Sequence, residues 1–211
     1  MLPKALKMAT SDPGSDQAKL SAVSRSLTAL EFLIGLLRSG ADLDRIVDGY
    51  LETRRLLAGT FRRLAQSTVP SVKPALEMTR EHIQEVLRAK YSAAVPASLL
   101  VVRDYSETHL LLLGYLFQRV GGHVSAARLR ILTGEQVHTE RRVRELRDLG
   151  YQIRAERAAG EQQYILVTDQ PNLEYAALAQ LRLNVKDSRT LGAAQKKDLL
   201  TMLEDSPGKV E

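Results

Sequence analysis

The apolar positions between residues 18 and 91 recur with the period of an α-helix in three successive segments. In the first segment, six apolar side chains form one stripe that ends before Gly40: Leu20, Val23, Leu27, Leu30, Ile34 and Leu37. The second segment begins after Asp42 or Asp44, either of which can cap a helix, and the third covers about residues 74–91. The three segments predict an N-terminal helical domain over residues 18–91, preceded by a flexible arm at residues 1–17.

The stripe of the first segment has two interpretations. It is little more than two heptads long, whereas a self-associating coiled coil normally extends over at least about three to four. The pattern therefore favours packing within the chain, and the alternative is a dimer seam centred on Leu27 and Leu30. We expect a homo-oligomer of some kind, because one DNA-reading domain alone rarely buries enough contact to be specific.

Residues 106–168 carry the most informative pattern, which follows a connection at residues 92–105. The order is helix, turn, helix, turn, helix, strand, loop and strand, with Ser106 and Ser125 as caps and Gly150 after the third helix. The strand-like runs are residues 151–153 and 164–167, joined by a loop. This order is typical of a winged helix-turn-helix. The predicted fold class is mainly α with a small β-hairpin wing, and a helical tail covers residues 169–211.

The basic residues of this segment are unusual because all of them are arginines. The whole chain carries a formal charge of only +5 over 211 residues, but residues 121–168 contain eight arginines and no lysine. Arginine contacts guanine and phosphate through a bidentate fork. The predicted DNA-binding residues lie on the third helix, about residues 136–149, and on the wing: His138, Arg141, Arg142, Arg144, Arg154 and Arg157.

An alternative comes from three acidic residues among these arginines. Glu140, Glu145 and Asp148 stand three or four positions from arginines, so part of the set can form ion pairs on a solvated helix. The chain would then be a structural or interaction protein whose winged helix docks a protein partner.

Two runs in this segment resemble a known family. They are VSAARLRILTG at residues 124–134 and ERRVRELRDLGYQI at residues 140–153, followed by YILV at residues 164–167. They resemble winged-helix domains attached to HNH-type restriction nucleases and related regulators, over about residues 107–167. The resemblance implies that Arg141, Arg142 and Arg144 contact DNA. Because no His-Asn-His constellation is present, it implies no cleavage activity.

The sequence offers little for catalysis or cofactor binding. It has no cysteine and four scattered histidines, and the His138-Thr-Glu140 run lacks the cysteines that would complete a deaminase zinc site. We therefore expect no enzyme, no metal and no cofactor. The N-terminus lacks the apolar core of a signal peptide, and the longest apolar stretch, residues 93–102, is interrupted by Pro96. These features predict a cytoplasmic protein without a membrane span.

Together these observations predict a double-stranded DNA-binding protein. It would act as a transcriptional regulator or as the DNA-recognition component of a restriction or defence system.

Overall fold

A computed structural model describes residues 13–134, 138–158 and 160–204. The chain divides into two compact units, residues 1–68 and residues 69–211. Its described part is mainly helical with one small antiparallel sheet, so the predicted fold class is confirmed. Residues 1–12 of the predicted arm, Gln136 and Val137 of the predicted third helix, residue 159 of the predicted loop and residues 205–211 of the predicted tail lie outside the described residues.

The first unit is a hairpin of two long helices, α1 (Pro13–Arg38) and α2 (Leu43–Thr68). Helix α1 thus begins inside the predicted arm, because proline is compatible with the first turn of a helix. Gly40 follows α1 with φ of 64°, and the amide of Ala41 donates to the carbonyl of Leu36 at 3.1 Å. Asp42 caps α2 by accepting from the amide of Arg45 at 3.0 Å. These bonds fix the tight turn between the helices.

Small and hydroxyl-bearing side chains, together with Leu36 of α1 over Gly49 of α2, form the contact between the two helices. The hydroxyls of Ser26 and Thr60 are 2.8 Å apart, and Thr60 also donates to the carbonyl of Ala22 at 3.1 Å. Thr53 donates to the carbonyl of Ala29 at 3.0 Å. The predicted stripe of α1 is therefore not the face packed against α2, and Leu20, Leu27, Ile34 and Leu37 are exposed. Small residues mediate this contact because they let two backbones approach closely.

Helix α1 bears on the expectation that the chain has no membrane span. An 18-residue window within Gln17–Arg38 has a mean hydropathy of 1.5, and this helix is long and apolar enough to cross a membrane. Searching the sequence for uninterrupted apolar runs misses this segment, because an average tolerates scattered serine, threonine and charged residues. Length and composition alone are weak evidence, since core helices and signal sequences meet the same criterion.

The second unit contains six α-helices and three strands in its described part. They are α3 (Lys73–Tyr91), α4 (Glu107–Phe117), β1 (Val124–Ser125), α5 (Ala126–Leu132), α6 (Thr139–Arg147), β2 (Ile153–Ala158), β3 (Glu161–Leu166), α7 (Leu173–Asp187) and α8 (Ala193–Glu204). A short 3-10 helix, Ala97–Leu99, lies in the connection before α4. The boundary between the units places α3 with the second one, whereas the sequence pattern grouped it with the first two helices. The reason is that Leu76, Ile83 and Leu87 of α3 enter the second core.

Helix α4 forms the centre of that core. Six consecutive residues, 111–116, are buried, and Leu112, Leu113 and Leu116 are fully enclosed. Helix α6 packs against α4, and α3 packs against α7. The hydroxyl of Tyr151 lies 3.2 Å from that of Thr79, which joins the start of the hairpin segment to α3. The core thus holds α6 on one side while leaving its other side exposed.

The sheet has the order β1-β3-β2 and is antiparallel throughout. Val124 of β1 pairs with Tyr164, and β2 pairs with β3 from Ile153↔Leu166 to Ala158↔Glu161. The two long strands extend over residues 154–158 and 161–163, which the sequence pattern assigned to a loop. Alternation of polar and apolar residues there is weak, because only the base of the hairpin touches the core. Backbone pairing alone extends the ladder to its tip.

Candidate nucleic-acid interface

Helix α6 presents its arginines on the side opposite its buried side. Thr139, Val143 and Leu146 are buried, and at 100° per residue Arg141 and Arg144 project away from them. The helix begins after His138, which is exposed and has φ of 76°. A left-handed backbone is uncommon for a non-glycine residue, although histidine is among the types that adopt it more often. The prediction that Arg141 and Arg144 are exposed on one helix face therefore agrees with the structure.

Glu145 organises the arginines at the start of this face. Its carboxylate accepts from Arg141 Nε at 3.0 Å and from an Arg142 guanidinium nitrogen at 2.8 Å. On its inner side, it lies 2.7 Å from His109 Nε2 of α4. Part of the ion-pair alternative is thus observed, because Arg141 and Arg142 both pair with Glu145.

His109 connects this carboxylate to the core. The residue is 3% exposed, and its Nδ1 accepts from the backbone amide of Ser106 at 3.0 Å. Since Nδ1 is an acceptor, the neutral ring carries its proton on Nε2 and donates it to Glu145. Sequence reasoning missed this positioning residue, and the available signal was a polar side chain just before an apolar helix run.

The pKa values of the two groups follow from this arrangement. Burial lowers the pKa of His109 below its ordinary value, and the hydrogen bond to Glu145 offsets this only in part. Burial raises the pKa of Glu145, but hydrogen bonds from Arg142, His109 and Arg141 outweigh it and hold that pKa below its ordinary value. At neutral pH the pair is therefore a neutral imidazole and a carboxylate.

Acidification should destabilise the protein through His109. The lowered pKa means that the folded state resists protonation, so stability is complete above the ordinary value of 6.5 and decreases as the pH falls below it. His109→Gln can still donate a hydrogen bond to Glu145 but cannot take up a proton. We therefore expect its melting temperature to decrease less than that of the wild type between about pH 7 and pH 5. Thermal melts across that range measure this. His82→Gln, at an exposed site on α3, is the matched control, and an unchanged pH profile in His109→Gln would contradict the assignment.

Arg144 differs from its neighbours in being unpaired. It is exposed and makes no hydrogen bond or ion pair with any part of the chain that the structure describes. The side chain of Arg141 is 67% exposed and that of Arg142 is 39% exposed, so both remain accessible beside their carboxylate partner. Arg144 is therefore the arginine of α6 most available to an anionic ligand.

A cleft of about 420 Å³ opens along this face, and we call it the α6 cleft. Its walls come from α4, α6, α7 and the connection before α4. Its charged lining consists of Arg103, Arg141, Arg142, Arg144, Asp104, Glu145, Asp148 and Asp187. Four cations and four carboxylates balance formally, so the cleft itself is not a strongly positive surface. Burial raises the pKa of Asp148 above its ordinary value, and the nearby Arg144, Arg147 and Arg103 offset part of this.

The two arginines that were predicted on a wing lie elsewhere, on β2, and do not act as one pair. Arg154 and Arg157 are exposed on β2, and neither lines the α6 cleft. Because alternate residues of a strand point to opposite faces, these two side chains project from opposite sides of the hairpin. Arg154 pairs in the ladder with Ile165, and Arg157 pairs with Gln162 nearer the tip. The structure thus groups Arg141, Arg142 and Arg144 but separates Arg154 from Arg157.

Two other arginines of the segment have structural partners. Arg130 of α5 forms an ion pair with Glu140 at the start of α6, and this contact joins the two helices. Arg147 Nε donates to the carbonyl of Ile153 at 2.7 Å and holds α6 against β2. These contacts position the exposed arginines and leave fewer charges for a ligand than the sequence count suggests. Among the described residues, no group of three or more metal-ligating side chains occurs.

Comparison with known proteins gives one match. A family model described as the KpnI N-terminal domain matches residues 110–174, from α4 to the start of α7. No curated protein and no solved structure matches the chain. The match covers the segment whose sequence resembled domains attached to restriction nucleases, and that part of the expectation is confirmed. Residues 110–174 are similar to a restriction-enzyme-associated domain.

Proposed function

We propose that residues 106–168 form a winged helix-turn-helix that binds double-stranded DNA and serves as the recognition part of a restriction system. The observation that carries the proposal is the exposed arginine face of α6, opposite its buried face and with Arg144 unpaired among the described residues. The order α4-β1-α5-α6-β2-β3 and the sheet order β1-β3-β2 support a winged helix. The similarity to the KpnI N-terminal domain supports the restriction context.

The proposed mechanism places α6 in the major groove. Arg144 and Arg141 would meet base edges or phosphates, and Glu145 would hold Arg142 at the edge of the interface. Because Arg154 and Arg157 project from opposite sides of β2, at most one of them can face the DNA phosphate backbone beside α6. The wing would therefore supply a single phosphate contact from this pair. His138, at the exposed start of α6, would lie nearest the groove floor.

The proposal assigns recognition rather than strand cleavage to this chain. Its support is the sequence itself, which contains no His-Asn-His constellation, no phosphate-binding loop and no cysteine. Incubating the protein with supercoiled plasmid and magnesium ions tests this assignment. Unchanged plasmid is the expected result, and nicked or linear plasmid would overturn it.

Removing the exposed arginines of α6 should weaken DNA binding without unfolding the protein. If Arg141 or Arg144 reads a base, we expect its replacement by alanine to cost about 1–3 kcal/mol of binding free energy. If it binds a phosphate, the same replacement should lower the salt slope by about one unit. Fluorescence anisotropy of the double variant on duplex DNA at several salt concentrations separates these outcomes. Circular dichroism verifies that the variant is folded.

The matched control removes the same charge from other surfaces of the second unit. Arg88 of α3 and Arg189 after α7 are both exposed, and neither lines the α6 cleft. Replacing both with alanine changes the net charge equally and should weaken binding less. If the two double variants bind alike, the attraction is non-specific and the assignment of α6 to the groove is wrong.

The balanced charge of the α6 cleft favours a second candidate function. A cleft with four arginines and four carboxylates suits a protein partner of mixed charge better than the uniformly negative DNA backbone. In that case the chain would be an interaction module of the same restriction system. Failure of the wild-type protein to bind duplex DNA even at low salt would support this candidate.

A further inference from the structure

The first unit exposes large apolar side chains on both of its helices. Leu27 is 54% exposed and Tyr50 is 52% exposed, although each lies within a 26-residue helix rather than at its end. Soluble proteins normally place such side chains in a core, and contiguous apolar surface marks an interaction site. We call six of these residues the apolar face: Leu20, Leu27 and Ile34 of α1, and Leu43, Tyr50 and Phe61 of α2.

Helix geometry places these six residues on one side of the hairpin. On α1, the exposed stripe lies about 100° around the helix from the line of Ala22 and Ser26, which faces α2. On α2, the exposed stripe lies about 100° from the line of Thr53 and Thr60, which faces α1. On both helices, the stripe is reached from the packed line by turning in the same sense as the chain winds. Because the helices are antiparallel and their packed lines face each other, both stripes lie on the same side of the hairpin. The result is a two-helix layer with one apolar surface.

The contact between α1 and α2 does not use this surface. Serine, threonine and alanine side chains take part in that contact, and the leucines Leu33 and Leu36 of α1 pack over Gly49, where an added Cβ would lie 2.8 Å from Leu36. The hairpin therefore buries little of the large apolar area that it carries. Most helical stability in proteins comes from burying an amphipathic face, so a lone hairpin of this kind lacks its main stabilising contact.

The area available matches a protein interface. A 26-residue helix is about 39 Å long, and two helices packed about 10 Å apart present a face roughly 20 Å wide. The face thus covers on the order of 800 Å² on each partner, which is the amount buried by standard stable complexes. The six residues are uncharged, and Arg54 lies on the same side of α2, four positions after Tyr50 and seven before Phe61.

A second copy of the chain fits this surface better than a bilayer. Helix α1 carries Lys19, Arg25 and Glu31 among its polar residues, and α2 carries an Arg54-Arg55 and an Arg62-Arg63 pair. A bilayer span would desolvate these charges at high cost. A two-fold arrangement instead covers the apolar face with itself and leaves Arg25, Arg55 and the Arg62-Arg63 pair in water. Arg54, which lies on the same side of α2 as Tyr50 and Phe61, has to extend its charged end to the rim of this interface.

We propose that the apolar face binds the same face of a second copy, so that two hairpins form a four-helix bundle and the protein is a dimer. The arrangement needs no additional segment, because each hairpin supplies two of the four helices. The dimer rests on the first unit alone and is therefore independent of the proposed DNA binding.

Charged substitutions on the apolar face test the proposal. We expect the full chain to sediment at twice the 23.4 kDa of one chain at micromolar concentration. Leu27→Glu with Ile34→Glu should weaken the dimer by about 100-fold or more, because it buries four carboxylates in one interface. The monomer should stay folded, since both side chains are already exposed in the isolated chain. The control is Ser24→Glu with Thr28→Glu, which adds the same charge to exposed positions off the apolar face of α1.

A second measurement keeps the proposal testable if the glutamate variant fails to fold. The chain has no cysteine, so Leu27→Cys and Ser24→Cys each introduce a single thiol. In the dimer, a maleimide should label the Leu27→Cys variant more slowly than the Ser24→Cys variant, and dilution should remove the difference. Equal labelling at all concentrations, or a monomeric wild-type chain, would overturn the proposal. Flotation of the wild-type chain with anionic lipid vesicles in place of dimerisation would also overturn it.

Discussion

Replacing Gly150 with alanine should strongly destabilise the second unit, because the added methyl group has no room. Gly150 has φ of 85°, and an added Cβ would overlap the carbonyl oxygen of Asn172 and lie 2.9 Å from its carbonyl carbon. The left-handed conformation alone costs about 1–2 kcal/mol for an L-residue, and an overpacked site adds about 1–3 kcal/mol. The clashing group is backbone, held by a hydrogen bond from the Asn172 amide to the Gly150 carbonyl at 2.9 Å. The two segments must therefore separate.

Gly160 provides a matched control for this prediction. It has nearly the same φ, 81°, at the tip of the β2-β3 hairpin, but an added Cβ would meet nothing within 4 Å. Gly160→Ala should cost only the conformational term, about 1–2 kcal/mol. Urea denaturation of both variants measures the difference. Equal destabilisation would mean that the approach of Asn172 has no effect on stability.

Local signals in the sequence predict several helix ends in both units. Ser125 caps α5 by accepting from the amide of Arg128 at 3.2 Å, as its position before an apolar run indicates. Gly40 and Gly150 each follow a helix with positive φ, as expected for C-terminal glycines. Such signals depend on a few neighbouring residues, so they can be recognised without knowing the tertiary structure.

The faces used in packing could not be predicted in the same way. The periodicity of α1 favoured its large apolar stripe as the packed face, but Ala22 and Ser26 form the contact with α2. Periodicity identifies the side chains that avoid water, whereas the partner they pack against is a property of the assembled structure. If the dimer proposed above forms, the apolar stripe is an interface between two chains. Its periodicity then also reflects side chains that are removed from water.

The availability of the arginines also depends on tertiary contacts. Sequence distance predicts that Glu145 reaches Arg141 and Arg142, and both contacts occur. It cannot predict that Glu140 turns instead to Arg130 of α5, or that Arg147 donates to the hairpin backbone. Arg144 forms no ion pair in the described structure and acts on Asp148, four positions later, only through its charge. The candidate interface therefore contains fewer arginines than the sequence count suggests, and the contacts of the others hold α6 in place.

Replacing Asn184 with alanine should be a second strongly destabilising change in the same unit. Asn184 lies on α7 and is 9% exposed. Its amide nitrogen donates to the carbonyls of Leu99 at 2.9 Å and Val101 at 2.7 Å, and so attaches the connection before α4 to the core. Alanine would leave the buried carbonyl of Leu99 unsatisfied, at about 1–3 kcal/mol, and would also remove the bond to the partly exposed carbonyl of Val101. We expect a decrease of roughly 2–4 kcal/mol in the free energy of unfolding, measured by urea denaturation.

The Asn184 side chain donates hydrogen bonds through its nitrogen and accepts one through its oxygen, and two further variants test these roles separately. Arg103 Nε donates to Asn184 Oδ1 at 3.2 Å, and Arg103 also pairs with Asp187 at 2.8 Å across the α6 cleft. Arg103→Ala removes this exposed pairing but keeps both carbonyl bonds, so it should cost less than about 1 kcal/mol. Asn184→Asp keeps an acceptor for Arg103 but no longer donates to either carbonyl, so it should resemble Asn184→Ala. If Asn184→Asp is instead as stable as wild type, the amide donors do not hold the connection, and Arg103 positions that wall of the cleft alone.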